Sequence, residues 1–423
     1  MKLKNKKTLA TLVALGTIAL ALTGCSPSPA QSGSSDHVDI AFWHGYTEAD
    51  GKVLNSLIED FNKSQKEVTI TPQVNAWATM NDKFLPALAA GNGPALIAMP
   101  PELVPVYASK GALQSVDDWY GLGGNPGTLN KAATEISVVE GKNYGVPLSF
   151  TPLTMFYNKK LFAQADVTVP TTWDEWVAAA AKLTVDQNGD GEPEQYGLAL
   201  QDHTTVGNGV WPSLLKSGGG DIVDSKGKAV IDSPENLATL KYWVAAVRDK
   251  KISPAGLDGV AADNLYKAGK VAMTFGGPWL ASISQEAGID YGIAPLPAGP
   301  DGTKQSALSV AVGVTSGATA AQKAGIEKFF TWFFQKDHMI KWSLASGWPP
   351  LTTNVTSEDV SENSVVAELT KQSANGVPLL AGVVPSTDML TALDNLTQRS
   401  LAGDDLKSLL SQTESKMQSI LAK

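Results

Sequence analysis

The chain predicts an α/β fold with a mainly parallel sheet in its first third, on three observations. Strand-like and helix-like periods alternate along residues 38–98. The apolar positions switch cleanly between period two and helical spacing. The connections between these segments are short. Val38, Ile40 and Phe42 alternate with polar or small residues and start the first strand. Residues 48–63 follow as a helix, with Val53, Leu54, Leu57, Ile58 and Phe61 on one face. A strand at 68–74, a helix at 80–90 and a strand at 95–98 repeat the unit. Pro170 and Thr171 introduce Thr172-x-x-Glu175, a capping box that opens a helix through residue 183. Helical spacing recurs at 234–250, 261–269, 321–342, 388–400 and 403–421.

The start of the chain reads as a leader. Lys2, Lys4, Lys6 and Lys7 precede an apolar run at 9–22. That run falls short of the ~20 residues a membrane-spanning helix needs, so it reads as a secretory signal. Thr23 and Gly24 before Cys25, the one cysteine in the 423 residues, resemble a bacterial lipobox. The expectation is a signal peptide at 1–24, cleavage before Cys25, and acylation that holds the chain to the lipid bilayer at the outer face of the cell membrane. A lone thiol has no disulfide partner, which leaves lipidation as the better account of it. Residues 25–36 are rich in Ser, Pro and Gly and read as a flexible tether.

Composition narrows the function. Lysine and arginine total 33 against 42 acids, a net charge of −9. Without the leader's four lysines, 29 basic residues face the same 42 acids, leaving −13. Such a surface disfavours nucleic acid as a partner. Arg248 and Arg399 are the two arginines, both on helical patterns, which disfavours an anionic ligand. Neither a phosphate-binding glycine loop, a nucleophile elbow nor a zinc-protease helix is present, and four histidines make a histidine metal centre or triad a poor fit. Among 42 acids, a carboxylate pair for glycoside hydrolysis stays open as the enzyme alternative.

One acidic loop has a cation-binding cadence. Asp186, Asn188 and Asp190, followed by Gly191, match the first half of a calcium loop, but position twelve is Gly197 where a bidentate glutamate belongs. Closure by Glu192 or Glu194 would give a structural Ca2+ site at Asp186, Asn188, Asp190 and Glu194. A solvated turn accommodates the same residues, and both readings stay open.

Five segments carry a family resemblance. They are Gly141-Lys-Asn-Tyr-Gly-Val-Pro147 with Tyr157-Asn-Lys159; Pro170-Thr-Thr-Trp-Asp-Glu175; Gly269-Lys-Val-Ala-Met-Thr-Phe-Gly-Gly-Pro-Trp279; Tyr291-Gly-Ile-Ala-Pro-Leu-Pro297; and Ser346-Gly-Trp-Pro-Pro350. In that order they resemble the extracytoplasmic sugar-binding proteins of ABC importers, the family of maltose-binding protein. The resemblance implies a two-lobed periplasmic-binding-protein fold whose lobes are joined by several hinge-crossing segments. One lobe is expected at 37–147 plus 293–345, the other at 148–292 plus 346–423. It implies no catalysis, a carbohydrate ligand bound in the inter-lobe cleft, and delivery to the membrane permease subunits of an ABC importer. A glycerol-phosphate binder of the same fold and a membrane-anchored carbohydrate-active enzyme are the alternatives.

Ligands of α/β sheets gather beyond the carboxyl ends of strands. Trp43-His44-Gly45-Tyr46 ends the first strand, so these residues are expected to line the cleft, with His44 or Glu48 as a hydrogen-bonding partner. Glu102, beyond the strand at 95–98, is the expected cleft acid. Gly276-Gly277-Pro278 precludes a regular element ahead of Trp279, and Gly277 and Trp279 join the ligand set. The resemblance implies that Trp279 stacks on sugar and that Trp211 is an aromatic ligand contact. Trp348, framed by Gly347 and Pro349, stands similarly. Six other tryptophans (Trp119, Trp173, Trp176, Trp243, Trp332 and Trp342) are assigned to cores.

Overall fold

A computed structural model describes residues 37–422 except 48, 122–127, 203–208, 381 and 385. The leader, Cys25, the tether and Glu48 therefore lie outside the described residues. No helix among those described is long and apolar enough to cross a membrane.

The strands in chain order are β1 (Val38–His44), β2 (Val68–Val74), β3 (Leu96–Met99), β4 (Val138–Val139), β5 (Lys142–Asn143), β6 (Val146–Pro152), β7 (Thr154–Asn158), β8 (Tyr196–Leu198), β9 (Val271–Gly276), β10 (Tyr291–Ala294), β11 (Gln305–Val314) and β12 (Gly376–Val377). β1 pairs in parallel with β2 and β3, as the alternating strand and helix periods predict. The alternation along β1 buries Ile40, Phe42 and His44 while Asp39 faces out. β11 then adds antiparallel to β3 and to β6, which gives this sheet a mixed character. A second sheet has the order β10-β7-β9-β8.

Each sheet has its own core. Ile40, Phe42, Leu54, Ile97, Trp119, Phe330 and Trp342 belong to the first; Trp176, Leu240, Trp243, Met273 and Phe275 belong to the second. The C-terminal helices Ser386–Ala402 and Leu406–Leu421 seal the second core through Met389, Leu396 and Met417. Leu351, Val355, Val360 and Val366 instead pack into the first. The chain crosses between the sheets where β6 runs through Leu153 directly into β7. It crosses again along β11, whose Leu308 enters the second core while Ala307 and Val310 enter the first.

The capping box at Thr172 forms as its sequence predicts, with both reciprocal bonds present. The helix expected over 321–342 is two helices, Ala320–Phe333 and Lys336–Ser346. Gln335 turns extended at the break, and the His338 imidazole both stacks on Trp332 at 3.6 Å and donates to the Trp332 carbonyl at 2.6 Å. The periodic apolar pattern runs through this corner because both helices face the same core.

Candidate functional site

A cleft of about 410 Å³ opens between the two sheets, a volume within the ~300–1,000 Å³ of small-molecule sites. Four of its walls sit just past the carboxyl ends of strands. Tyr46 follows β1, Trp77 follows β2, Glu102 follows β3, and Trp279 follows β9. Ala307–Val310 of β11 form the floor, and Trp348 closes the remaining side.

Two glycines let the aromatic walls approach. The Trp77 indole lies against Gly45, where a Cβ would come within 2.2 Å of the ring. Tyr46 meets Trp77 edge-on with ring centres 5.4 Å apart, and its hydroxyl donates to Ser149 at 2.7 Å. Gly277 does the same for Trp279: a Cβ there would lie 2.6 Å from the indole and 3.3 Å from Leu308. Gly277 therefore shapes the site by making room for its neighbour. Trp279 begins the helix Trp279–Glu286 and donates its Nε1 hydrogen to Asp263 at 3.0 Å. Trp348 follows Gly347, whose φ of +83° ends the helix Lys336–Ser346 in a left-handed turn. Its side chain packs against both cores.

The electrostatics are acidic. Asp50, in the first turn of the helix Ala49–Ser64, accepts the Gly51 N–H at 2.7 Å. Burial pushes the Glu102 carboxyl up to about 7, opposed only by its own backbone N–H. Asp263 is pushed by burial up to about 6, with the Trp279 hydrogen bond acting the other way. No lysine, arginine or histidine is among the described residues lining the cleft.

Of the residues expected from sequence, the structure brings Tyr46, Glu102, Trp279 and Trp348 together. Three others are placed elsewhere. His44 is fully buried beside Asn55, 3.1 Å away, and burial lowers its pKa. Its side chain points inward because β1 alternates, and Trp43 on the opposite face donates to Gln73 at 2.7 Å. Trp211 is 1% exposed in the second core, its Nε1 donating to the Gln201 carbonyl at 2.8 Å. Trp77, Asp50 and Asp263 were not among the expected residues. The rule that pointed to Tyr46 and Glu102 also reaches Trp77, three residues beyond β2.

The acidic loop satisfies itself. Asp186 accepts the N–H groups of Gly189 and Gly191, Asn188 accepts that of Asp190, Asp190 that of Glu192, and Glu194 that of Gln187. The Lys251 ammonium also donates to the Gly191 carbonyl. These bonds hold the loop's own backbone, and no group of three or more His, Cys, Asp or Glu among the described residues is arranged for a metal.

Comparison with known proteins places these features in a family. The model of the family described as bacterial extracellular solute-binding protein matches residues 44–340. The maltotriose-binding protein of Pyrococcus abyssi is 24% identical over 342 residues, covering 77% of this chain and 69% of that one. The sn-glycerol-3-phosphate-binding periplasmic protein of Brucella melitensis is 25% identical over 354 residues, covering 78% and 79%. The crystal structure of a cyclic α-maltosyl-1,6-maltose binding protein from Arthrobacter globiformis shares the fold, with a TM-score of 0.78 at 23% identity over 91% of this chain and 99% of that one. The two sheet-centred lobes, the crossing strands and the match over most of the chain make this protein a member of the bacterial extracellular solute-binding protein family.

Proposed function

We propose that this chain is the carbohydrate-capturing subunit of an ABC importer, held at the outer face of the cell membrane by an acylated Cys25. The observation that carries the reading is the cleft between lobes, with Trp77, Trp279 and Trp348 on its walls and two carboxylates among them. A sugar ring has apolar C–H faces and a hydroxyl rim. Indole faces cover the former, and carboxylates accept hydrogen bonds from the latter. The ligand is an oligosaccharide bound across the lobes and handed to permease subunits without chemistry. Closure about the crossing strands β6–β7 and β11 would bury it.

The relative that binds sn-glycerol-3-phosphate supports a second reading. A phosphate needs cationic or N–H donors. The acids and the lack of a basic side chain among the described lining residues favour the sugar.

Purified protein incubated with a glycan panel tests both. Saturable binding without products, with a rise in melting temperature, is the expected result. Products would support an enzyme, and binding of glycerol 3-phosphate alone would support the second reading. Cys25→Ala is expected to abolish acylation and detergent partitioning; unchanged partitioning would remove the anchor.

A further inference from the structure

The passages of the chain between the two cores meet in one place. Leu153 joins β6 to β7, and β11 begins at Gln305. Val366 packs in the first core and Met389 in the second, so a third passage runs between them, by way of β12. β12 pairs with the start of β11, Gln305 opposite Gly376 and Ser306 opposite Val377. The Leu153 N–H donates to the Ser306 carbonyl at 2.8 Å.

Buried amides and hydroxyls tie these passages together. Gln305 is fully buried, and its side-chain nitrogen donates to the Leu153 carbonyl at 2.7 Å and to Gln372 Oε1 at 3.4 Å. The Thr154 hydroxyl, 3.0 Å from the Pro152 carbonyl, reaches the same Gln372 oxygen at 3.3 Å. Ser306 is held from the other side. Its N–H donates to Ser213 Oγ at 2.9 Å, on the helix Val210–Ser217 of the second core. The Gln305 Oε1 has no partner among the described residues, a cost that an apolar side chain would not carry.

Resting on the reading of this chain as two lobes that close on a sugar, we infer that Gln305 is a positioning residue for ligand capture, fixing the angle at which the lobes rest. Gln305 is not among the residues lining the cleft, yet it precedes by two the Ala307 at which the cleft floor begins. Hydrogen bonds are directional, so an amide shared between two passages holds one relative orientation of them. A buried polar network of this kind rigidifies what it joins. Lobes already held at one angle have less freedom to lose when they close, which favours binding.

The test reads the lobes without a ligand. Cys25 is the one cysteine, so the full chain carrying Cys25→Ala takes spin labels only where cysteines are introduced. Lys83→Cys and Lys241→Cys place them at exposed positions on the helices Trp77–Ala89 and Pro234–Lys250, one in each lobe. Electron–electron distance measurements on this parent are expected to give one narrow distribution, which Gln305→Met broadens about twofold. Thr154→Val, which removes a hydroxyl from the same knot, should broaden it less, and decides the matter if Gln305→Met does not fold. Trp243→Ala, a packing change elsewhere in the second core, should lower the melting temperature and leave the distribution in place. Calorimetric titration with maltotriose should show about fivefold weaker binding in Gln305→Met than in the parent. A distribution in the folded variant that superimposes on the parent's overturns the inference, as does unchanged affinity for maltotriose. Equal broadening in Trp243→Ala overturns it too, since Gln305 would then act only through stability. A parent that binds no glycan of the panel, maltotriose included, overturns the carbohydrate reading alone, because the distances are measured without ligand.

Discussion

The indole of Trp279 and the carboxylate of Asp263 form one unit, joined by a hydrogen bond of 3.0 Å across 16 residues of sequence. Asp263 lies on the helix Gly259–Lys267, which packs against β9, so the strand that leads to Trp279 and the acid that orients it are built together. A ring with one fixed edge presents one face to the cleft, and little rotamer freedom remains to be lost on binding.

This coupling sets graded outcomes. Trp279→Ala should weaken glycan binding by one to two decades, from burial of ~100 Å² of apolar surface at ~25 cal/mol/Å². Asp263→Ala keeps the ring but frees it, and should cost about three- to tenfold, in line with a net hydrogen bond of about 1 kcal/mol. Asp263→Asn retains an acceptor and should bind within about twofold of wild type. Calorimetric titration of the three variants checks the ranking; an Asp263→Ala protein with wild-type affinity would detach the acid from the platform.

Gly45 makes a second prediction. With Trp77 lying 2.2 Å from where its Cβ would be, Gly45→Ala must push the indole out of the cleft wall. The expected cost is about 1–3 kcal/mol of stability, as in other overpacked sites. A shift in tryptophan emission should accompany it, because Trp77 also packs edge-on with Tyr46. Denaturant unfolding followed by fluorescence measures both.

The cleft acids make the free protein sensitive to pH, and the sign is fixed by raised values in the folded state. Glu102 titrates near 7 when folded against an ordinary 4.5, and Asp263 near 6 against 3.8. Between those limits the folded protein binds more protons than the unfolded chain. Stability from this source is fully present below the ordinary carboxylate range and is lost as pH rises through the folded values. Glu102→Gln should therefore gain on wild type between about pH 4.5 and 7, by up to roughly 2 kcal/mol. Melting temperatures across that range test it; parallel curves for the two proteins would deny the burial of Glu102.

Much of this architecture can be read from local pattern. β1 announces itself by alternation, the helix at Thr172 by its capping box, and Trp279 by the glycines that end β9. Two glycines before a tryptophan mean the same thing in one dimension as in three, because room for a ring is a local requirement. What the pattern hides is direction. The period of β1 buries His44 and leaves Trp43 on the opposite face, yet both close the same strand and read alike as ligand groups. Trp211 has a proline beside it and a helix after it, as a cleft residue would, but its indole hydrogen bonds to a carbonyl inside the core. Asp263 is invisible from sequence, since its role exists only through a partner on another element.

Trp243 separates packing from recognition. It is fully buried and meets Trp173 and Trp176 edge-on at 5.4 and 5.1 Å, within the second core. Its indole nitrogen has no partner among the described residues, so its contribution comes through shape and apolar area. Trp243→Ala should leave a cavity and cost about 3–5 kcal/mol. Trp243 is not among the residues lining the cleft. Affinity measured well below the melting temperature should accordingly stay within about threefold of wild type, since packing at one core position couples weakly to a separate site. Trp279→Ala should show the converse, with affinity lost and the melting temperature little changed. Unfolding and titration on the same two variants decide the matter. A large loss of affinity in Trp243→Ala would mean that the second core sets the shape of the cleft directly, making the cleft an extension of that core.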